Sequence, residues 1–157
     1  IRLSIGPMPK FAPPMSTNYK FQYGIGNEIL EGRDALIFTY GQTMVSEAYR
    51  TATLLKEKNI SLEVINMPCL NYFDKSWISE KIKNFNYIFF LDDHNYNGGM
   101  SDLMISFLTE NNLANNKNLK KFGFKDFPAC GSYDEVLKFH KLDYKNLAKQ
   151  ILDKINS

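Results

Sequence analysis

A run of residues from Ala35 to Tyr40, apolar at every position except Thr39, constrains the fold more than any other feature of this sequence. A strand with one face in water alternates apolar and polar residues, whereas a strand buried on both faces is apolar throughout. The run from Tyr87 to Leu91 has the same character. We therefore predict a sheet whose inner strands are covered by helices on both sides.

Helical patterns separate these strands. The segment from Thr43 to Lys58 repeats apolar residues every three or four positions, and Asn59 is suited to end it in the left-handed conformation. Asp74 precedes a second helical segment as its predicted N-cap. The residues that these two segments direct inward are Met44, Val45, Ala48, Ala52, Leu54, Leu55, Trp77, Ile78 and Ile82.

The remaining segments continue the alternation of strands and helices. "KFQYGIGNEIL" and "SLEVINM" are rich in β-prone residues, and "LKKFGF" predicts a last short strand. Two helices are predicted at the end of the chain, from Ser132 to His140 and from Asp143 to Ile155. This order predicts an α/β sandwich built on a mostly parallel sheet with right-handed crossovers. A helix is also predicted after Gly99, with Met100, Leu103, Met104, Phe107 and Leu108 at core spacing.

Composition narrows the classes of function. The 157 residues carry a net charge of +2, which is too small to indicate nucleic-acid binding. No apolar run approaches the roughly 20 residues that cross a bilayer, and no signal peptide is visible, so we expect a cytoplasmic protein. Cys69 and Cys130 have no metal-like spacing and are expected to be reduced. With His94 and His140 as the only histidines, a zinc site is not expected.

The polar stretch "LDDHNYNGGMSD", residues 91–102, is the candidate functional site. In one interpretation, Gly98 and Gly99 let backbone N–H groups at a helix start approach an anion, with Asp93 and His94 as an acid–base pair. In the other, the glycines form a tight turn, and His94 orders the loop or contacts a partner subunit. We favour the structural or interface interpretation, because adjacent carboxylates repel anions and the glycine spacing of known phosphate fingerprints is missing.

Other reactive residues have simpler structural explanations. Ser46 and Ser101 lack the G-x-S-x-G context of a nucleophile elbow. Cys130 directly precedes a helix for which Ser132 and Glu135 predict a capping box. His140 is placed to complement a helix dipole. No catalytic, metal-binding or cofactor-binding residue is therefore assigned.

The order of three segments resembles the C-terminal domain of transketolase-type, thiamine-diphosphate-dependent enzymes. Residues 24–74 match its opening: a glycine-containing lead strand, a G-x-D turn, an apolar strand ending in Y-G and an alanine-rich helix. Residues 88–110 are similar to its apolar strand that runs into E-H-x-x-x-G-G and a helix. Residues 122–151 are similar to its ending. Residues 1–5, "IRLSI", resemble the last strand of the preceding pyrimidine-binding domain.

The resemblance implies a three-layer α/β/α fold on a five-stranded mixed sheet whose first strand is antiparallel. It implies three parts: the end of the pyrimidine-binding domain at 1–7, a linker at 8–20, and the C-terminal domain at 21–157. It also implies that the N-terminal domain holds the diphosphate and magnesium through a G-D-G signature, which this sequence lacks. The fragment itself is therefore expected to bind no cofactor and to catalyse nothing alone.

Three positions depart from the family pattern. Ile5 stands where members acting on phosphorylated sugars place an arginine that grips the phosphate, so an unphosphorylated or modified substrate becomes plausible. Tyr72 replaces a frequent proline, and Asp93 replaces the frequent glutamate before the histidine. The last change weakens a catalytic role for the Asp93–His94 pair.

The resemblance implies transfer of a two-carbon ketol unit between sugars by the complete enzyme. The expected partners are the N-terminal and pyrimidine-binding domains, in the same chain or a separate subunit, and a second copy in a homodimer. Two alternatives lie within the superfamily: deoxyxylulose-phosphate synthase and the β subunit of a 2-oxoacid dehydrogenase. A third, from another class, is a regulatory module that binds an anion near Gly98 and Gly99.

Overall fold

A five-stranded mixed sheet forms the centre of the molecule, a computed structural model that describes residue 13 and residues 19–127 and 129–157. The spatial order of the strands is β1-β3-β2-β4-β5. β1 pairs antiparallel with β3, and the other three pairs are parallel. The strands are β1 (Asn27–Leu30), β2 (Ala35–Thr39), β3 (Leu62–Asn66), β4 (Tyr87–Asn95) and β5 (Asn118–Phe124).

In the part of the chain that the structure describes, five helices cover the two faces of this sheet. α1, α4 and α5 pack on one face, and α2 and α3 pack on the other. The three-layer α/β/α architecture with a mostly parallel sheet, predicted from the sequence, is confirmed. The helices are α1 (Gln42–Lys56), α2 (Lys75–Ile82), α3 (Met100–Glu110), α4 (Tyr133–Phe139) and α5 (Tyr144–Ile155).

The continuous apolar run in β2 is explained by this double coverage. Ala35 and Ile37 belong to the core beneath α1 and α5, whereas Leu36 and Phe38 belong to the core beneath α2 and α3. All four side chains are fully buried. Because successive strand residues point to opposite faces, a strand between two helical layers has no position where a polar side chain reaches water.

Local signals in the sequence also locate the helix ends. Asn59 has φ 61°, and the amide of Ile60 donates to the carbonyl of Leu55 at 3.0 Å, which closes α1 in a Schellman motif. The carboxylate of Asp74 accepts from the amide of Trp77 at 2.8 Å. The capping box at the start of α4 is present as predicted, because the amide and hydroxyl of Ser132 both bond the Glu135 carboxylate.

Some features differ from the sequence-based expectations. Leu103 is 47% exposed, because it lies on the side of α3 that faces away from the sheet. β4 continues to Asn95, so the residues expected at a strand end are the last part of the strand itself.

Cys69 is buried and Cys130 is exposed, and neither forms a disulfide. The expected strand at 1–7, including Ile5, and most of the expected linker at 8–20 lie outside the described residues.

A buried carboxylate joins the first helix to the last. Glu47, on the covered side of α1, is 5% exposed and accepts a hydrogen bond from the amide of Tyr144 at 2.6 Å. Arg50 donates to the same carboxylate at 2.6 Å, and its guanidinium stacks on the Tyr144 ring at 3.8 Å. Burial raises the pKa of Glu47, and the bonds from Tyr144 and Arg50 act against that rise. Glu47 therefore serves as a remote cap for α5.

We expect Glu47→Ala to lower the free energy of unfolding by about 2 kcal/mol, because the partly buried amide of Tyr144 loses its acceptor. Glu57→Ala, at the exposed end of the same helix, is the matched control and should change stability by less than about 0.5 kcal/mol. Urea unfolding of the three proteins measures both effects. Equal stabilities of the two variants would contradict the capping role of Glu47.

Candidate functional site

The candidate site lies where the chain reverses direction across the sheet. From β2 the chain crosses through α1 to β3, and it then returns through α2 to β4 on the other side of β2. α1 and α3, which follow β2 and β4, therefore start on opposite faces of the sheet. In open α/β sheets, ligands bind in the crevice formed at such a point. The stretch from residue 91 to residue 102 borders this crevice.

Asp92 is fully buried and caps α3. Its carboxylate accepts hydrogen bonds from the amide of Ser101 at 3.1 Å and from the Ser101 hydroxyl. Gly99, the N-cap of α3, contributes no side chain to this end of the helix. A buried carboxylate is costly unless it is hydrogen-bonded, and a negative charge at a helix N-terminus is favourable. Asp92 thus makes the hydrogen bond to a helix amide that the side chain of an N-cap residue usually makes.

Gly99 is required by Asp92 rather than by its own backbone conformation. Its φ is −85°, which any residue adopts. A Cβ atom at this position would lie 2.6 Å from the carboxyl carbon of Asp92, a distance that real side chains do not tolerate. The glycine therefore makes room for the buried cap.

Gly98 forms the turn before the helix. Its φ of 80° favours glycine, and its amide donates to the carboxylate of Asp102 at 2.7 Å. Lys121 of β5 binds the other oxygen of that carboxylate at 2.5 Å and the carbonyl of Tyr96 at 2.9 Å. The bond from Lys121 comes first among the causes that hold the pKa of Asp102 below its ordinary value of 3.8. The turn is thereby tied to the neighbouring strand.

Asp93 and His94 do not form a compact pair. Adjacent strand residues point to opposite faces, so their side chains diverge. The Asp93 carboxylate lies against Gly41, the N-cap of α1, where a Cβ atom would approach Oδ2 to 3.0 Å. His94 is exposed. The two adjacent aspartates of β4 therefore lie at the starts of two helices on opposite sides of the sheet.

The hydrogen bonds of residues 91–102 help to choose between an anion-binding site and a structural turn or interface. Two of the amides at this helix start, those of Gly98 and Ser101, already bond carboxylates of the same chain. Those carboxylates would also repel a diphosphate, so the site does not fit that group. The exposed His94 remains a predicted interface residue.

The other residues considered in the sequence have structural contacts. Nε2 of His140 accepts a hydrogen bond from the amide of Ala129 at 3.1 Å, and its ring meets Phe124 and Phe139 edge to face. These contacts hold the His140 ring between the segment before α4 and the end of that helix. Ser46 and Ser101 are buried.

Sequence reasoning missed the roles of Asp92, Gly41 and Glu47. A usable signal existed for Glu47, a charged residue between Met44 and Ala48 on the apolar side of its helix. The partner of Asp92 could not be read from spacing, because the strand's orientation decides which helix each aspartate meets.

Across residues 19–127 and 129–157, no group of three or more His, Cys, Asp or Glu side chains could hold a metal ion. In the same part of the chain, no helix is long and apolar enough to span a bilayer.

The strand order and the aspartates that serve two helices define an α/β domain of the three-layer class. The family description "Transketolase, C-terminal domain" matches residues 24–147, and the chain belongs to this family. The resemblance found in the sequence is thereby confirmed.

Curated relatives support the same assignment. The chain is 33% identical over 136 residues to a putative transketolase C-terminal section of Methanocaldococcus jannaschii, covering 86% of this chain and 41% of that protein. It is 27% identical to 1-deoxy-D-xylulose-5-phosphate synthase of Clostridium tetani, covering 80% and 20%. It is 26% identical to one of the subunits of apulose-4-phosphate transketolase from Phocaeicola vulgatus, covering 87% and 42%. The chain thus spans less than half the length of these relatives.

Solved structures show the same fold. A split-gene transketolase, described as an inactive β4 tetramer, superposes with a TM-score of 0.79 at 20% identity and covers 90% of this chain and 46% of its own. A transketolase variant from Pichia stipitis superposes with a TM-score of 0.61 at 19% identity and covers 83% and 18%.

We expect Gly99→Ala to lower the free energy of unfolding by about 2–3 kcal/mol, because the new methyl group meets the Asp92 carboxylate. Asp92→Ala should cost about as much by leaving the Ser101 amide without its acceptor. The double variant should cost clearly less than the sum, since removal of the carboxylate makes room for the methyl group. Additive losses in a double-mutant cycle measured by urea unfolding would contradict this explanation.

We expect the stabilisation that Asp102 provides to change with pH only in acid. Because the folded pKa lies below 3.8, the stabilisation is complete above that pH and is lost as the pH falls through the lowered folded value. The side chain is 38% exposed, so screening by solvent limits the effect to roughly 0.5 kcal/mol. Asp102→Asn should therefore be less stable than the parent at pH 6 and should approach it near pH 2. A difference in thermal stability that stays constant over this range would exclude the ion pair as its cause.

Proposed function

We propose that this chain is the C-terminal domain of a thiamine-diphosphate-dependent enzyme that transfers a two-carbon ketol unit between sugars. The observation that carries the proposal is the match over residues 24–147, which runs through all five strands and reaches into α5. When bound elsewhere in the enzyme, the cofactor would supply the carbanion that attacks the donor ketose. This domain would contribute a rigid wall and a contact surface.

The crevice at the switch point supports a non-catalytic role for the isolated domain. Two of its carboxylates, those of Asp92 and Asp102, accept hydrogen bonds from amides of the same chain. We therefore propose that the N-terminal and pyrimidine-binding domains hold the diphosphate, the magnesium and the reacting sugar. These domains would belong either to the same polypeptide or to a separate subunit, and the assembled enzyme would be a cytoplasmic homodimer.

Two classes of substrate are candidates, phosphorylated sugars and unphosphorylated or modified sugars. Two relatives are named for phosphorylated sugars, 1-deoxy-D-xylulose 5-phosphate and apulose 4-phosphate. Ile5, where sugar-phosphate enzymes of the family carry an arginine, favours an unphosphorylated or modified sugar. Deoxyxylulose-phosphate synthase is the second candidate function because several curated relatives carry that name.

Reconstitution tests the proposal directly. The chain is combined with the section of the same enzyme that carries the G-D-G signature, and product formation is followed with thiamine diphosphate and magnesium present. Ketol transfer should appear in the combined sample and in neither part alone. Formation of 1-deoxy-D-xylulose 5-phosphate instead would establish the second candidate. Turnover by the 157-residue chain unaided would overturn both.

We expect His94→Ala to leave the fold intact, within about 0.5 kcal/mol, because the side chain is exposed. In the assembled enzyme, the same change should weaken subunit association or lower turnover. Analytical ultracentrifugation and the reconstituted assay measure the two effects, with Asn97→Ala, in the exposed part of the following turn, as the control. Unchanged association together with unchanged turnover would refute an interface role for His94.

A further inference from the structure

A basic groove runs along β5, the edge strand farthest from β1. It encloses about 450 Å³, within the range of small-molecule sites. Strand β5, the loop that follows it, and the segment from the end of α4 into α5 form its walls. Its charged and aromatic lining includes Lys120, Lys121, Lys125, Lys141, Asp126 and Phe139.

The lysines of this groove differ in how their charge is balanced. Lys121 pairs with Asp102 at 2.5 Å. Within the described residues, Lys120, Lys125 and Lys141 form no ion pair. The Lys120 ammonium donates to the backbone carbonyl of Gln150 at 3.3 Å. Asp126 is the carboxylate among the residues that line the groove, so the three lysines without an ion pair outnumber it and leave the groove with a net positive charge.

Burial and, to a smaller extent, neighbouring cations both act on Lys120. Burial lowers the pKa of Lys120, and although Asp153 opposes this shift, Lys154 and Lys125 add to it by repulsion. Lys121 and Lys125 also share one aromatic ring, with their ammonium nitrogens 4.2 Å and 4.8 Å from the centre of Tyr96. A bound anion would relieve this repulsion and compensate for the partial loss of hydration.

Lys141 occupies a backbone position that does not favour lysine. Its φ is 58°, and it stands at the C′ position of the Schellman motif that ends α4, where the amide of Leu142 donates to the carbonyl of Leu137 at 2.8 Å. The equivalent positions after α1 and α3 hold Asn59 and Asn112. Glycine or asparagine is the usual residue in this conformation, so a lysine here costs stability without any gain for the motif. Strain of this kind is concentrated at functional sites.

The groove also offers neutral and aromatic contacts beside the charges. The Gln150 side chain donates to the carbonyl of Lys141 at 3.0 Å, which fixes α5 against the lysine-bearing turn. The Phe139 ring is 70% exposed at the rim. Lys120 lies over the ring of Phe122 at 5.2 Å. A flat ring attached to the anion could therefore stack on an aromatic surface.

We propose that this groove binds a small molecule that carries a diphosphate or longer phosphate chain, with Lys120, Lys125 and Lys141 as its cationic contacts. Three lysines in a groove of this volume match the charge and size of such a group, whereas an acidic protein surface would need a larger and flatter area. The site is separate from the crevice at Asp92 and does not depend on the ketol-transfer proposal. The phosphate chain is free or is part of a nucleotide, and both sources share the same chemistry.

Titration calorimetry on the 157-residue chain at low ionic strength tests the proposal, with pyrophosphate and ATP as separate probes. We expect saturable one-to-one binding of pyrophosphate. Lys120→Gln combined with Lys125→Gln should weaken it by about 30-fold, because each ammonium near a phosphate contributes on the order of 1 kcal/mol. The charge-matched control is Lys58→Gln combined with Lys75→Gln, two exposed lysines outside the groove, and it should change the affinity by less than about twofold.

Lys141→Gly separates binding from folding. Glycine relieves the left-handed conformation, so the melting temperature should stay constant or rise while pyrophosphate binds about fivefold more weakly. Ketol transfer by the reconstituted enzyme should not change in this variant, which keeps the present proposal distinct from the proposed function. Phe139→Ala should weaken ATP alone if the ligand is a nucleotide, and should affect neither probe if the free phosphate chain is bound.

Three results would overturn the proposal. The first is absence of saturable binding of both probes. The second is an equal loss of affinity in the control double variant, which would indicate attraction to net charge alone. The third is a groove variant that binds both probes normally but no longer associates with the other section of the enzyme, which would assign the lysines to a protein interface.

Discussion

The structure depends on a carboxylate, Asp92, that is fully buried where β4 passes into α3. A buried carboxyl group costs free energy unless it is hydrogen-bonded, and here the amide and hydroxyl of Ser101 both donate to it. The geometry in turn requires Gly99, whose missing side chain leaves room for the carboxylate. The next residue, Asp93, lies against Gly41, where α1 begins on the opposite face. The polar residues of this stretch therefore serve mainly to stabilise the fold of the domain.

The described surface has two regions with different character. The crevice at the switch point is acidic, and its amides are engaged within the chain. The groove along β5 is basic and includes a lysine in a conformation that lysine seldom adopts. The first region is consistent with the non-catalytic role proposed for the domain, and the second supports the proposed ligand-binding function. The two regions are connected by Lys121, which lines the groove and holds the turn at Asp102.

The sequence by itself determined the features that depend on neighbours along the chain. The apolar run from Ala35 to Tyr40 indicated a doubly covered strand, and Asp74, Asn59 and the Ser132–Glu135 box located helix ends, because capping contacts span only three to five residues. Resemblance to a family supplied the antiparallel β1, which no local pattern encodes.

Only the tertiary structure decided which side chains meet across long separations. Glu47 caps a helix 97 residues away, and the groove brings Lys120 of β5 close to the turn that holds Lys141. The division of Asp92 and Asp93 between two helices follows from strand order and from the period of two in a strand, and neither aspartate's partner is marked by spacing. Contacts of this kind are fixed by the order of strands in the sheet and by the faces that helices cover, which is why the sequence could indicate the site but not its roles.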